Sequence, residues 1–136
     1  MTSTRRRARA IILQALYEID STGHNVEEVL SNVLGEKELT EESDTFIYDM
    51  VDGIIHDRHK LDEHIKRFAP AWPIDQLSII DRNILRLAIF ELLIDNKIPV
   101  SVAINEAVEL AKKFGSDNSA RFVNGVLSSV NKLVMR

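Results

Sequence analysis

The 136-residue sequence contains no cysteine and few proline, glycine or aromatic residues. Without cysteine the chain cannot form disulfides or thiolate metal sites, which fits a reducing cytoplasm. Only three prolines and five glycines are available to interrupt helices. The sequence has no apolar run of about 18 residues, and its basic start lacks the apolar core of a secretory signal. We therefore expect neither a transmembrane helix nor a signal peptide.

Charge is distributed unevenly along the chain. The net charge is −4, yet residues 1–10 carry four arginines and no acidic residue, which leaves −8 on the remainder. A basic tip on an acidic body creates a local positive field, and phosphate binding depends on that local field. The alternative is an inert, solubilising charge run.

Apolar residues recur at three- and four-residue spacing along nearly the whole chain, which predicts an all-α fold of about seven helices. We expect the first helix over residues 4–21, the second after an Asn25 cap, and the third after Thr40 or Ser43. Proline at positions 70 and 73 predicts a boundary between two packed helical subdomains, residues 1–69 and 70–136. Trp72 is expected to fill the seam between them.

The second half should be built around one helix, because residues 75–95 are apolar on most sides. A helix capped by Ser101 and ended by Gly115 should follow, and the last helix should begin at Asn118 or Ser119. Arg86 lies within the apolar helix and is best explained by structural ion pairing with the other half.

The first helix has an unusual outer face. At 100° per residue, Arg6, Leu13 and Tyr17 fall opposite the apolar stripe, with Arg9 beside them. Arginine binds phosphate and stacks on bases, and tyrosine is a common interface anchor. The pattern suggests RNA at the N-terminal end and a partner protein along the rest. Alternatively, Leu13 and Tyr17 pack on another helix of the same chain.

The start of the last helix is a second candidate for RNA. Free N–H groups at a helix N-terminus favour phosphate, and Asn118 and Ser119 could add side-chain hydrogen bonds. Phe122 could stack on a base, whereas Asp117 would oppose an anion. An ordinary helix cap with Phe122 in the core explains the local pattern equally well.

Catalytic and metal-binding signatures are missing from the sequence. His56 and His59 have helical ligand spacing and His64 is nearby, but the glutamate of an H-E-x-x-H zinc site is absent. There is no phosphate-binding loop, dinucleotide fingerprint or nucleophile elbow. We expect no metal, no cofactor and no enzymatic activity.

Three segments together resemble the NusB family of transcription factors. They are Arg5-Arg6-Arg7-Ala8-Arg9 followed by Leu13-Gln14-Ala15-Leu16-Tyr17; Asp81-Arg82-Asn83-Ile84-Leu85-Arg86; and residues 102–112 (VAINEAVELAK) continuing to 122–127 (FVNGVL). The resemblance covers essentially the whole chain. It implies an all-α fold and a cytoplasmic role in antitermination on ribosomal RNA operons. There NusB pairs with NusE, a ribosomal small-subunit protein, and binds single-stranded boxA RNA beside RNA polymerase.

The resemblance also implies site residues. The RNA-binding set would be Arg5, Arg6, Arg9, Gln14, Asn118, Ser119 and Phe122. The NusE-binding set would be Leu13, Tyr17, Asp75 and Asp81. Relatives often carry an acid at position 118, so Asn118 removes a repulsive charge and should tighten RNA binding.

Two alternatives differ from this hypothesis in class. NusB-like domains also occur fused to ribosomal-RNA cytosine methyltransferases, but this sequence has neither a cofactor-binding α/β region nor a catalytic cysteine. The other alternative is a protein-only scaffold or homodimer whose arginines lie in a self-interface.

Overall fold

A computed structural model describes residues 3–35 and 39–134, and these fold into seven α-helices with no strand among them. The prediction of an all-α fold with about seven helices is confirmed. The helices are α1 (Ser3–Thr22), α2 (Val26–Gly35), α3 (Glu41–His56), α4 (Arg58–Phe68), α5 (Ile79–Ile89), α6 (Val100–Phe114) and α7 (Ser119–Val130). Within the described ranges, none of these helices is both long and apolar enough to cross a membrane.

Side-chain caps fix where two of the early helices begin. The Asn25 side-chain oxygen accepts the backbone N–H groups of Glu27 and Glu28 at 2.9 and 3.3 Å, so α2 begins where the sequence predicted. Of the two candidate caps for α3, Thr40 is used: its hydroxyl accepts the Ser43 N–H at 3.1 Å. These bonds satisfy N–H groups that a helix start leaves without intrahelical partners.

The chain divides into two compact units, Met1–His56 and Asp57–Arg136. The sequence placed the boundary at Pro70 because proline breaks a helix. In the structure the division falls between α3 and α4, since α4 packs against α5 and α7. Leu61 and Ile65 of α4 are fully buried. The helix break near Pro70 and the boundary between the two packed units therefore lie at different positions in this chain.

In the first unit, α1 packs against both α2 and α3. Large fully buried side chains come from all three helices: Ile12, Leu13, Leu16, Leu30, Ile47 and Ile54. A polar contact joins α2 to α3 at the surface, where the Tyr48 hydroxyl donates to Glu27 Oε1 at 2.8 Å. The Glu27 carboxylate raises the pKa of Tyr48, because it accepts this hydrogen bond and repels the phenolate.

In the second unit, α5 is the central element and contacts α4, α6 and α7. Every residue from Asn83 to Leu92 is buried. The apolar pattern predicted this for the apolar residues, but not for Asn83, Arg86 and Glu91. The segment is not one continuous helix, however. A single 3₁₀ turn covers Ile74–Gln76, α5 begins after the Ser78 cap, and a π-helical stretch follows at Phe90–Asp95.

A buried ion pair joins α4 to α5. Arg86 Nε donates to Asp62 Oδ1 at 2.8 Å, and Nη2 donates to Oδ2 at 3.0 Å. A third donor, Nη1, reaches the Asn83 side-chain oxygen at 3.1 Å. The Arg86 side chain is 8% exposed. Its predicted structural ion pair is therefore present, with a partner in the preceding helix.

The helix α6 begins at Val100, one residue before the predicted Ser101 cap. Pro99 precedes it, and its carbonyl accepts the N–H groups of Val102 and Ala103, both at 3.1 Å. Ser101 is already helical and exposed, so the prediction that it caps α6 is wrong.

Candidate nucleic-acid interface

The arginines at the start of the chain belong to a folded helix. Within the described residues α1 already includes Ser3, so Arg5, Arg6, Arg7 and Arg9 lie on its first two turns. Because a helix turns every 3.6 residues, their side chains leave it in different directions. Arg6 and Arg7 are exposed, Arg5 is half-buried and Arg9 is buried. Two exposed arginines at one helix end give a compact positive surface for phosphate.

The aromatic ring of Phe46 lies close to the guanidinium groups of Arg5 and Arg9, the two less exposed arginines. The Arg5 guanidinium carbon lies 3.8 Å from the ring centroid, and that of Arg9 lies 5.9 Å away. Both distances are within the range of cation–π attraction. Arg5 also pairs with Glu42 at 3.6 Å. Glu42 and Phe46 are four residues apart on α3 and so share one face, a spacing that sequence reasoning did not connect with the arginines.

The predicted outward placement of Arg9 and Leu13 is wrong. Each has only 2% of its surface exposed. The reason is that α1 packs on both α2 and α3, so its buried sector is wider than the apolar stripe used for the prediction. A buried arginine cannot offer its guanidinium to a phosphate at the surface. For Leu13, the alternative of packing within the chain holds.

Two other predicted residues of α1 are on the surface. Gln14 is exposed, and Tyr17 has 42% of its surface exposed. Exposed tyrosine offers an aromatic face and a hydroxyl at little cost in side-chain entropy, which suits both a base and a protein partner.

In the second unit, Ser119 has a structural role. It is 1% exposed, and its hydroxyl oxygen accepts the Ser116 N–H at 2.9 Å. The two serine hydroxyls lie 3.2 Å apart. Ser119 therefore closes the loop before α7, and the prediction that it donates to RNA is wrong because its side chain is turned into the loop. Gly115 is required there, since a Cβ atom would overlap the Ser119 side chain.

Asn118 occupies the N-cap position of α7 but forms no side-chain cap hydrogen bond. It is exposed, so its amide can bind another molecule. Asp117 beside it is also exposed. The loop thus presents one neutral amide next to one acid, and only the amide suits an RNA phosphate or base.

A cavity of about 310 Å³ lies between this loop and the segment before α5. Its lining brings together three predicted site residues, Asp81, Asn118 and Phe122. The other lining residues are Trp72, Gln76, Leu77, Ser78 and Ser116. Asp75, the remaining predicted residue of this unit, is exposed on the preceding 3₁₀ turn.

Trp72 was expected to be buried in a seam, but 53% of its surface is exposed. Ser78 was not singled out, although Ser78-Ile79-Ile80-Asp81 has the spacing of a helix cap. The Ser78 hydroxyl accepts the Asp81 N–H at 3.0 Å. This cap fixes Asp81, one of the residues that line the cavity, in the first turn of α5.

No group of three or more His, Asp or Glu side chains with metal-site geometry occurs in residues 3–35 and 39–134. The histidines at positions 56, 59 and 64 are consequently not gathered into a metal site.

The first unit carries exposed arginines at a helix end, and the second has a cavity lined by aromatic and amide side chains. These features are typical of an all-helical protein that binds other molecules. The model of the NusB family matches residues 6–132. The chain belongs to the NusB family. It is 59% identical over 132 residues to the transcription antitermination protein NusB of Dehalococcoides mccartyi, covering 97% of this chain and 92% of that relative.

Solved structures agree with this assignment. NusB of T. maritima superimposes with a TM-score of 0.89 at 35% identity, covering 97% of this chain and 93% of that one. A crystal structure of the antitermination factors NusB and NusE in complex with double-stranded RNA gives a TM-score of 0.88 at 29% identity. That match covers 98% of this chain and 99% of the other.

Proposed function

We propose that this protein is a transcription antitermination factor that binds boxA RNA together with NusE and so supports processive transcription of ribosomal RNA operons. The observation that carries the proposal is the similarity along nearly the whole chain to NusB proteins, one of them solved with NusE and RNA. The protein acts in the cytoplasm beside RNA polymerase. It is an adaptor without a cofactor and without catalytic activity.

The RNA-binding surface on the first unit consists of Arg5, Arg6, Arg7 and Gln14. Arg6 and Arg7 are exposed, so their guanidinium groups lie at the surface, where a phosphate can reach them. Arg5 is held by Phe46 and Glu42, and RNA phosphate would compete with Glu42 for it. These contacts supply affinity but carry no sequence information.

On the second unit, Asn118 and Phe122 supply the RNA contacts. Single-stranded RNA exposes base faces and edges, which stack on aromatic rings and bond to amides. The similar solved structure of NusB and NusE contains double-stranded RNA. We favour single-stranded boxA RNA because a duplex hides the base edges that Asn118 and Phe122 would contact.

The NusE-binding surface includes Tyr17 and Asp75. Tyr17 is an exposed aromatic anchor, and Asp75 presents a carboxylate to a basic partner. Asp81, which the resemblance assigns to the same surface, also lines the cavity with Asn118 and Phe122.

The proposal is tested by boxA binding across a salt series, with and without NusE. For single-stranded RNA the log–log slope is about −0.7 per phosphate contact, so the loss of two contacts in Arg6→Ala/Arg7→Ala should flatten it by about 1.4 units. Lys60→Ala/Lys66→Ala removes the same charge from the exposed face of α4 and serves as the control.

NusE should tighten wild-type binding. If wild type and both double variants bind boxA alike, the arginines do not contact RNA. Sedimentation equilibrium then distinguishes the self-interface alternative, because an arginine-mediated homodimer would dissociate in Arg6→Ala/Arg7→Ala but not in the α4 control.

A further inference from the structure

We propose that Phe46 and Glu42, two residues of α3 outside the predicted RNA-binding set, control how Arg5 binds RNA. Phe46 is a positioning residue that holds the Arg5 guanidinium at the helix end, and Glu42 supplies a resident carboxylate that an RNA phosphate must displace. The inference rests on the proposed function and deepens it, because it adds a positioning residue and an internal competitor to the RNA-binding surface of the first unit.

Two helical pairs of side chains meet where α1 packs on α3. Arg5 and Arg9 are four residues apart on α1, and Glu42 and Phe46 are four apart on α3, so each pair shares one helix face. The Phe46 ring lies near both guanidinium groups. Arg9 is buried, whereas 32% of the Arg5 side chain is exposed. Of the two arginines beside the ring, Arg5 is therefore the one that can meet a ligand at the surface.

The ring of Phe46 orients Arg5 without using its hydrogen-bonding groups. A guanidinium is planar and its N–H donors lie in that plane, so contact with a ring face, here 3.8 Å from carbon to centroid, does not consume them. The ring also restricts a long side chain that would otherwise lose more rotamer freedom when it orders on RNA. Phe46 should therefore strengthen any contact that RNA makes through Arg5.

An anionic group already lies against Arg5. Glu42 Oε1 is 3.6 Å from Arg5 Nη2, which is within ion-pair range but longer than a hydrogen bond. The Glu42 side chain is 85% exposed, and exposed pairs contribute little, so this contact can be broken at small cost. A phosphate forms shorter, charge-assisted hydrogen bonds with a guanidinium, and its binding releases counterions from the RNA. The exchange of carboxylate for phosphate is therefore favourable.

The exchange nevertheless lowers the affinity for RNA. Binding through Arg5 loses the ion pair with Glu42, and the displaced carboxylate remains on α3 near the incoming phosphate, which it repels. Both effects oppose RNA, and both require that the RNA uses Arg5. Removing the charge of Glu42 should consequently tighten RNA binding, and most of that gain should depend on Arg5.

A double-mutant cycle on the full chain tests the competition. Binding of single-stranded boxA RNA is measured by fluorescence anisotropy at one low salt concentration for wild type, Glu42→Gln, Arg5→Ala and the double variant. Glu42→Gln should tighten binding about two- to fivefold, the range that corresponds to an exposed ion pair. Glu41→Gln is the matched control, because it removes an equal charge from the exposed neighbour in the same helical turn. With Arg5→Ala, Glu42→Gln should have no larger effect than this control.

Substitutions of Phe46 test its positioning role. Phe46→Leu removes the ring but keeps an apolar side chain, and it should weaken boxA binding about two- to fivefold through loss of the cation–π contact. Phe46→Tyr keeps the ring and should bind like wild type. In the Arg5→Ala background, Phe46→Leu should have no further effect, whereas a general disturbance of α3 would weaken binding with or without Arg5. Far-ultraviolet circular dichroism verifies that each variant is folded.

The outcomes separate this inference from the proposed function. If wild type does not bind boxA RNA, the proposed function itself is wrong. If it binds but Glu42→Gln acts like Glu41→Gln in both backgrounds, or weakens binding, Glu42 does not compete with RNA for Arg5. If Phe46→Leu changes nothing, or acts equally with and without Arg5, Phe46 does not position that arginine.

Discussion

The ion pair between Arg86 and Asp62 gives the sharpest test of how the second unit is held together. Asp62→Ala removes both carboxylate oxygens that accept from Arg86 and leaves its Nε and Nη2 without these acceptors. The Arg86 side chain is 8% exposed and that of Asp62 is 20% exposed. Breaking a fully buried pair typically costs about 3–5 kcal/mol. Partial access of water lowers our expectation to about 3 kcal/mol.

The assay is urea unfolding of the full chain, followed by far-ultraviolet circular dichroism and by Trp72 emission. The matched control is Glu63→Ala, which removes an exposed carboxylate from the next position of α4 and should change stability by about 0.5 kcal/mol or less. A loss of about 3 kcal/mol should also lower the melting temperature by roughly 10 °C for a chain of this size.

A double variant tests the physical reason. Asp62→Leu/Arg86→Met replaces the pair with apolar side chains, so no unpaired charge remains buried, and it should be more stable than Asp62→Ala alone. Should Asp62→Ala prove no less stable than Glu63→Ala, the view that this pair joins α4 to α5 would be refuted.

Three further predictions follow from burial and charge. Leu13→Ala should destabilise the protein by about 3 kcal/mol in the same unfolding assay, whereas exposed Gln14→Ala should be nearly neutral; equal effects would contradict the burial of Leu13. Asn118→Asp should weaken boxA binding several-fold, most strongly at low salt, because it places a carboxylate on the RNA-binding surface; unchanged affinity would argue against a role for Asn118. Gly115→Ala should cost about 2 kcal/mol, since the added methyl group overlaps the Ser119 side chain, and an unchanged unfolding midpoint would count against this packing.

Local signals in the sequence predicted the helices well. The cap at Asn25 and the all-α periodicity both correspond to what the structure shows, because each depends on residues close together in the chain. The start of α5 was misplaced although Ser78 and Asp81 carry the spacing of a cap. Leu77, Ile79 and Ile80 made the apolar pattern continuous through that cap, so periodicity alone concealed the boundary.

The sequence alone could not predict which helices pack against one another, or which distant residues come together in the fold. A helical wheel shows which residues share a face, but not how many neighbours a helix has, and α1 has both α2 and α3. Arg9 and Leu13 were therefore placed outside although they are buried. The cavity is a similar case, since Trp72 and Phe122 are 50 positions apart in the chain and only the fold places them around one space.

The helical backbone that carries the N-terminal arginines has a consequence for the thermodynamics of RNA binding. A flexible basic arm loses backbone and side-chain entropy when it orders on RNA, and that loss weakens the complex. Here the backbone that carries the arginines is already helical in α1, and Arg5 already rests on Phe46 of α3, so the backbone part of that ordering is complete when the protein folds. The points from which the exposed side chains of Arg6 and Arg7 leave the helix are therefore set before RNA arrives, and only those side chains order on binding. Such a helix end favours RNA conformations whose phosphates lie within side-chain reach of it.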